Sequence, residues 1–73
     1  MKKWLRDKDN GKWKDDSGAF LSCGVHIAMK YGADIEKGTI QYDELWNGGY
    51  YLVLDEGAGK LPMFGDTLYA EIV

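Results

Sequence analysis

Residues 19–31 alternate between apolar and polar positions with a period of two. Apolar side chains occupy the odd positions, and small or polar side chains occupy most of the even ones. This period is typical of a half-buried strand, so we predict a long strand that bends at Gly24. The alternative is a helix at about 17–31, capped by Ser17 and ended by Gly32. Two interior glycines and two β-branched residues argue against that helix.

A shorter alternating run follows in residues 33–43. Ile40 and Tyr42 fall on one face, and Thr39 and Gln41 fall on the other. Residues 43–49 are rich in turn-forming residues. We therefore predict a second strand that ends in a loop before the C-terminal third of the chain.

Residues 50–73 predict a three-stranded antiparallel meander. A hairpin connection at residues 56–59 would pair Asp55 with Lys60, and a glycine-first turn at residues 65–66 would pair Phe64 with Thr67. Pro62 lacks a backbone N–H, so we expect a bulge or an early end of pairing there. With these registers, one face is entirely apolar: Leu52, Leu54, Leu61, Met63, Leu68 and Ala70.

The opposite face of this meander combines charge with exposed aromatic surface. The predicted registers give a charge row of Asp55, Lys60 and Glu71 beside three aromatic side chains. We expect these aromatics, together with a tryptophan from the preceding loop, to form the candidate protein-contact patch, which comprises Tyr51, Phe64, Tyr69 and Trp46. An apolar patch of this kind is typical of an interaction surface.

Residues 1–16 predict an N-terminal β-hairpin. Asn10-Gly11 is a strong signal for a two-residue turn, which would place Asp9 opposite Lys12 and Asp7 opposite Lys14. An isolated hairpin is marginally stable in water. We therefore expect the hairpin to dock on the rest of the chain through its two tryptophans, Trp4 and Trp13.

The chain length and cysteine content limit the architecture. The 73 residues suffice for one small domain over 1–73 with a thin core. One cysteine cannot form an internal disulfide, so we expect Cys23 to be a buried free thiol and the compartment to be a reducing cytoplasm. No apolar run approaches the length of a membrane-spanning helix, so we expect no membrane partner.

Catalytic and cofactor motifs are not apparent, and we expect neither an enzyme nor a cofactor. Gly57-Ala58-Gly59-Lys60 resembles a phosphate-binding loop, but Leu61 stands where the motif needs Ser or Thr. His26 is the only histidine and has no evident orienting partner. One histidine and one cysteine do not complete a zinc site.

Charge is unevenly distributed and suggests an alternative function. Residues 1–14 carry six Lys or Arg and two Asp, a net charge of +4, whereas residues 15–73 carry three Lys and ten acids, a net charge of −7. The basic hairpin could bind single-stranded nucleic acid by stacking bases on tryptophans beside lysines. The candidate residues are Trp4, Trp13, Lys12 and Lys14. The acidic net charge of the whole chain argues against this partner.

The last forty residues resemble small proteins encoded by bacteriophages and mobile elements of Gram-positive bacteria, which look like Src-homology-3-like β-barrels. The resemblance lies in the segments 35–38, 51–56 and 72–73, in Phe64, and in Leu68-Tyr69. It implies a small all-β barrel and a phage or prophage origin in a bacterial host, but it supplies no functional residues.

These observations lead to one fold class and one function class. The fold is expected to be all-β, either a small Src-homology-3-like barrel or an antiparallel meander with an N-terminal hairpin. The function is expected to be a non-enzymatic protein-interaction module, such as a mobile-element accessory or host-modulating protein in the bacterial cytoplasm. Its partner would be another protein or a second copy of the chain.

Overall fold

The computed structural model describes residues 1–45, 49–57 and 59–73, and these contain β-strands and no helix. The all-β prediction is therefore confirmed, and the alternative helix at 17–31 is wrong, because the second half of that segment is a strand. The strands are β1 (Lys2–Arg6), β2 (Trp13–Lys14), β3 (His26–Tyr31), β4 (Asp34–Tyr42), β5 (Tyr50–Leu54), β6 (Lys60–Pro62) and β7 (Thr67–Ile72).

All seven strands found in the described residues belong to one antiparallel sheet with the order β2-β1-β7-β3-β4-β5-β6. The predicted meander over 50–73 is wrong in its last step, since β7 pairs with β1 and β3 and not with β6. Strand β6 ends at Pro62, but the expected break in pairing does not occur there, because the Met63 N–H still donates to the Tyr50 carbonyl oxygen at 2.9 Å. The chain then crosses the molecule, and the Arg6 N–H donates to the Asp66 carbonyl oxygen at 2.8 Å.

Two of the three predicted hairpins, the N-terminal one and that of β5 with β6, form with registers displaced by two residues. Leu61 lies opposite Leu52, where the turn chemistry predicted Leu54. Trp13 lies opposite Arg6, where it predicted Lys8. Because side chains alternate between faces, a displacement of two leaves every residue on its predicted face. The predicted apolar face of the C-terminal third therefore still points into the core.

Side chains account for the longer N-terminal loop. The Asp7 carboxylate accepts a hydrogen bond from the Asp9 N–H at 2.8 Å, and the Asn10 side-chain oxygen accepts one from the Lys12 N–H at 2.9 Å. The last pair before the loop is Asp7 with Lys12, joined by a backbone bond of 2.7 Å. Asn10-Gly11 thus forms the end of a four-residue loop.

The long strand predicted over 19–31 is wrong in its first half, since β3 begins only at His26, but the chain does bend at Gly24, as predicted. The Gly24 N–H donates to the Ile40 carbonyl oxygen at 2.8 Å, and the Ile40 N–H donates to the Val25 carbonyl oxygen at 3.0 Å. Two residues therefore face one, which is a β-bulge with a left-handed glycine in its first position. The φ angle of Gly24 is 88°, a conformation that costs little only for glycine. Regular pairing with β4 begins after the bulge, at His26.

The sheet curls around one core, and the N-terminal hairpin completes it. Trp13, on edge strand β2, contacts the ring of Tyr50 on β5 edge-to-face, with 6.0 Å between ring centroids. Its indole N–H donates to the Gly65 carbonyl oxygen at 3.1 Å, and the Trp4 indole N–H donates to that of Ala70 at 3.0 Å. The buried core comprises Trp4, Trp13, Leu21, Ile27, Met29, Ile40, Tyr50, Leu52, Met63, Leu68 and Ala70.

Replacement of Trp13 tests the role of the hairpin. We expect Trp13→Ala to lower the free energy of unfolding by about 3–5 kcal/mol, because it removes a buried ring and its hydrogen bond. Trp13→Phe retains a ring and should lose much less. Leu45→Ala, at an exposed residue, should stay within about 0.5 kcal/mol of wild type. Urea unfolding followed by circular dichroism measures all three. A Trp13→Ala chain as stable as the Leu45→Ala control would contradict docking of the hairpin.

Candidate functional site

The predicted contact patch does not form one surface. Tyr51 lies on the outer face of β5 and Tyr69 on the outer face of β7, with β3 and β4 between them. Phe64 lies beyond β6, at one end of the curled sheet. The patch depended on β6 pairing with β7, and that pairing is absent from the described strands. Trp46, its fourth member, lies outside the described residues, as does Ala58 of the predicted hairpin connection.

The predicted charge row is also replaced by other contacts. Asp55 accepts a hydrogen bond at 2.7 Å from His26 Nε2, instead of pairing with Lys60. The Lys60 ammonium group lies over the Tyr51 ring, 5.4 Å from its centroid, which is within cation–π range. Glu71 approaches the N-terminal amino group at 3.8 Å. His26 therefore has a carboxylate partner that the sequence did not reveal.

The residues proposed for nucleic-acid stacking are not available for it. Trp4 and Trp13 are each 1% exposed, so neither presents a ring face to a base. Lys14 forms an ion pair with Asp7 at 3.5 Å, and Lys12 is partly buried. The prediction that these tryptophans stack on bases is therefore wrong for the folded chain, because both indoles are part of the thin core.

Asp15 is the one charged residue that is buried within the described part of the chain. Its Oδ1 accepts hydrogen bonds from the Ser17 hydroxyl at 2.7 Å and from the Ser17 and Ala19 N–H groups at 2.9 Å. Its Oδ2 accepts one from Lys2 Nζ at 3.0 Å. The hydrogen bond from the Ser17 hydroxyl, followed by that from Lys2, holds the pKa of Asp15 well below its ordinary value. Both oxygens are engaged, so this carboxylate orders a loop.

Other reactive groups form no cluster. Cys23 is exposed, contrary to the expected buried thiol, because it lies in the turn in which the Val25 N–H donates to the Ser22 carbonyl oxygen. Among the described residues, no group of three or more His, Cys, Asp or Glu could hold a metal ion. The same part of the chain contains no helix that is long and apolar enough to cross a membrane.

The clearest concave aromatic feature lies at the end of the sheet where Phe64 projects. Phe64 is 57% exposed and meets Tyr31 edge-to-face, with 6.3 Å between ring centroids. Tyr31 and Phe64 line a cleft of about 270 Å³. Pro62, Leu68 and Lys30 are among its other lining residues. Phe64 was predicted as a contact residue. Tyr31 was not predicted as a contact residue, because an alternating pattern does not show which residue lies near the end of β3 in space.

The edges of the sheet are poorly suited to pairing with another chain. Edge strand β2 has two residues, and its outer side is bridged by Phe20 opposite Lys14. Edge strand β6 has three residues, and Pro62 cannot donate a hydrogen bond. Such short or interrupted edges are the usual protection against strand addition. A partner would therefore be recognised by side chains.

The fold and these surfaces define a small all-β protein built on one curled antiparallel sheet. No family model, no curated protein and no solved structure matches the chain. Interpretation of its function therefore depends on its own residues.

Asp15 predicts a pH dependence of stability. Because folding lowers the pKa of Asp15 from 3.8, its stabilising contribution is present above that pH and is lost as the pH falls below it. We expect the urea midpoint of the wild type to decrease between about pH 5 and pH 2. Asp15→Asn should be less stable at pH 7 and show a smaller decrease.

The neighbouring exposed Asp16 provides the matched control. Asp16→Asn should retain both the stability and the pH profile of the wild type. An Asp15→Asn variant whose midpoint declined in parallel with that of the wild type would show that another carboxylate, such as Asp7, governs acid unfolding.

Proposed function

We propose that the chain is a non-enzymatic protein-interaction module that holds a short segment of a partner protein in the cleft between Tyr31 and Phe64. The observation that carries the proposal is the exposed Phe64 ring, which contacts Tyr31 edge-to-face and lines a cleft with it. An exposed aromatic side chain beside a cleft resembles the anchor residues of protein interfaces.

The size of the cleft limits what it takes. Small-molecule sites usually enclose about 300–1,000 Å³, so a cleft of about 270 Å³ suits one or two side chains better than a whole cofactor. Its lining combines aromatic and proline side chains with Lys30. An apolar side chain next to an acidic one would match both features.

The wider assignment is part of the same proposal. It includes a small Src-homology-3-like barrel of phage or prophage origin that acts as an accessory or host-modulating protein in the bacterial cytoplasm. The curled sheet and the pairing of β1 with β7 support the barrel. The short, interrupted sheet edges support recognition by side chains.

Phe64→Ala tests the cleft directly. A peptide is first selected from a random-sequence display library against the folded wild type. We then expect Phe64→Ala to weaken binding of that peptide at least tenfold, about 1.4 kcal/mol, because the anchor ring is lost. Isothermal titration calorimetry measures the affinity. Leu45→Ala, another exposed apolar truncation, is the control and should bind as the wild type does.

The fold of Phe64→Ala is checked by its urea midpoint, which should change little because the ring is more than half exposed. Equal affinity of Phe64→Ala and wild type would place the binding surface elsewhere. Failure to select any peptide would contradict the proposal. Light scattering measures the oligomeric state and so tests whether the partner is a second copy of the chain. A dimer that Phe64→Ala disrupts would identify that second copy as the occupant of the cleft.

A further inference from the structure

Charge in this molecule is divided between strands and loops. Seven of the nine Lys and Arg residues lie within strands, whereas nine of the twelve Asp and Glu residues lie outside them. The acids are thus concentrated in the turns and the cations along the sheet. The net charge of −3 therefore conceals a sheet surface of the opposite sign.

One row on the outer face of the sheet places an aromatic ring between two of these cations. Lys3 on β1 lies opposite Tyr69 on β7. On its other side, β7 pairs with β3, and this pairing matches Met29 with Ala70. Lys30 and Tyr69 are the next residues along the two strands, so Lys30 lies across Tyr69 from Lys3. Lys30 in turn lies opposite Ile35 on β4. Neighbouring strands are about 4.8 Å apart, so the two lysine backbones lie about 10 Å apart across the ring.

The row is accessible. Tyr69 is 45% exposed, and neither Lys3 nor Lys30 takes part in an ion pair with any described residue. On the outer face of β7, Glu71 is directed to the N-terminal amino group at 3.8 Å. A groove of about 300 Å³ adjoins the row and is lined by Lys2, Lys3, Leu5, Lys14, Asp15 and Asp16.

We propose that this row, Lys3–Tyr69–Lys30, is a contact site for single-stranded nucleic acid. An exposed aromatic side chain on a sheet offers a stacking platform for a base, and flanking cations bind the phosphates on either side of that base. The unpaired charges identify a polyanion as the ligand, and the central ring selects one that carries bases. The site uses none of the buried tryptophans, and apart from Lys30 it is separate from the Tyr31–Phe64 cleft.

The test uses fluorescein-labelled ten-residue oligothymidylate and fluorescence anisotropy, with the full chain in 20 mM NaCl. Wild type should bind with a dissociation constant of about 10–100 μM, in the range of non-specific complexes. The logarithm of the association constant should fall with the logarithm of salt concentration with a slope of about −1.4, which corresponds to two phosphates on a single strand.

Variants separate the two components of the site. Tyr69→Ala should weaken binding about tenfold and leave the salt slope unchanged, whereas Tyr69→Phe should bind like the wild type. Lys3→Gln should weaken binding severalfold and reduce the slope by about 0.7. Lys8→Gln, in the hairpin loop, is the matched charge control and should retain the wild-type slope. Phe64→Ala should also retain oligonucleotide binding, which separates this site from the cleft.

Five results would overturn the assignment. The first three are no binding in 20 mM NaCl, equal losses in Lys8→Gln and Lys3→Gln, and wild-type affinity in Tyr69→Ala. The fourth is that phosphatidylserine vesicles bind more tightly than the oligonucleotide, which would identify a membrane surface. Displacement by polyphosphate at equal phosphate concentration, with no effect of Tyr69→Ala, would likewise reduce the site to a general polyanion surface. Circular dichroism of each variant verifies that the sheet is intact.

Discussion

The structure depends on one long-range contact, the insertion of the Trp13 indole from an edge strand into the core formed by the rest of the sheet. A chain of this length buries only about 60% of the surface that it exposes when unfolded, so one buried indole makes up a large share of the core. Trp13 contacts Tyr50 near the opposite edge and donates to the Gly65 carbonyl oxygen, while the Arg6 guanidinium lies 4.8 Å from the centroid of its ring. The indole thereby fixes the curl of the sheet, although no backbone pairing joins β2 to β6 among the described strands.

The alternation of side chains predicted the faces correctly, whereas turn chemistry predicted the pairing poorly. Periodicity reports which residues are buried, and a register displaced by two gives the same periodicity. The loop before Trp13 is longer than Asn10-Gly11 requires, because side-chain hydrogen bonds from Asp7 and Asn10 replace a tighter turn. The pairing of β7 with β1 and β3 could not be predicted from neighbouring residues, since it joins segments at opposite ends of the sequence and depends on the whole core. Gly24 was predictable because a bulge with a left-handed glycine is a local requirement.

Only part of the candidate site was predicted from the sequence, because its residues depend on strand pairing that the sequence pattern did not show. Phe64 was identified from its exposure on a meander, and it is exposed, but its neighbour is Tyr31 and not Tyr51. The partner changed because the chain leaves the sheet after Pro62 and crosses to the end of β3. The lack of an N–H at Pro62 does not cause this departure, since the Met63 N–H one residue later still donates to the Tyr50 carbonyl oxygen at 2.9 Å. A chain that continued β6 into a regular hairpin would place this ring over Tyr51 on a flat sheet, where an apolar side chain gains less burial than it does in a concave one.

The small core also determines which aromatic residues remain for binding. Trp4 and Trp13 are buried with the indole N–H of each donating to a backbone carbonyl oxygen, which satisfies the polar edge of a large apolar ring. Smaller aromatic side chains such as Phe64 and Tyr69 can remain outside without leaving the core unfilled. Acidic residues in the loops keep the net charge away from zero and so maintain solubility, while lysines in strands cover the sheet with flexible apolar stems whose charged ends stay in water. Stability and surface chemistry are therefore divided by residue type: the tryptophans fill the core, whereas Phe64, Tyr69 and Lys30 are exposed on the surface.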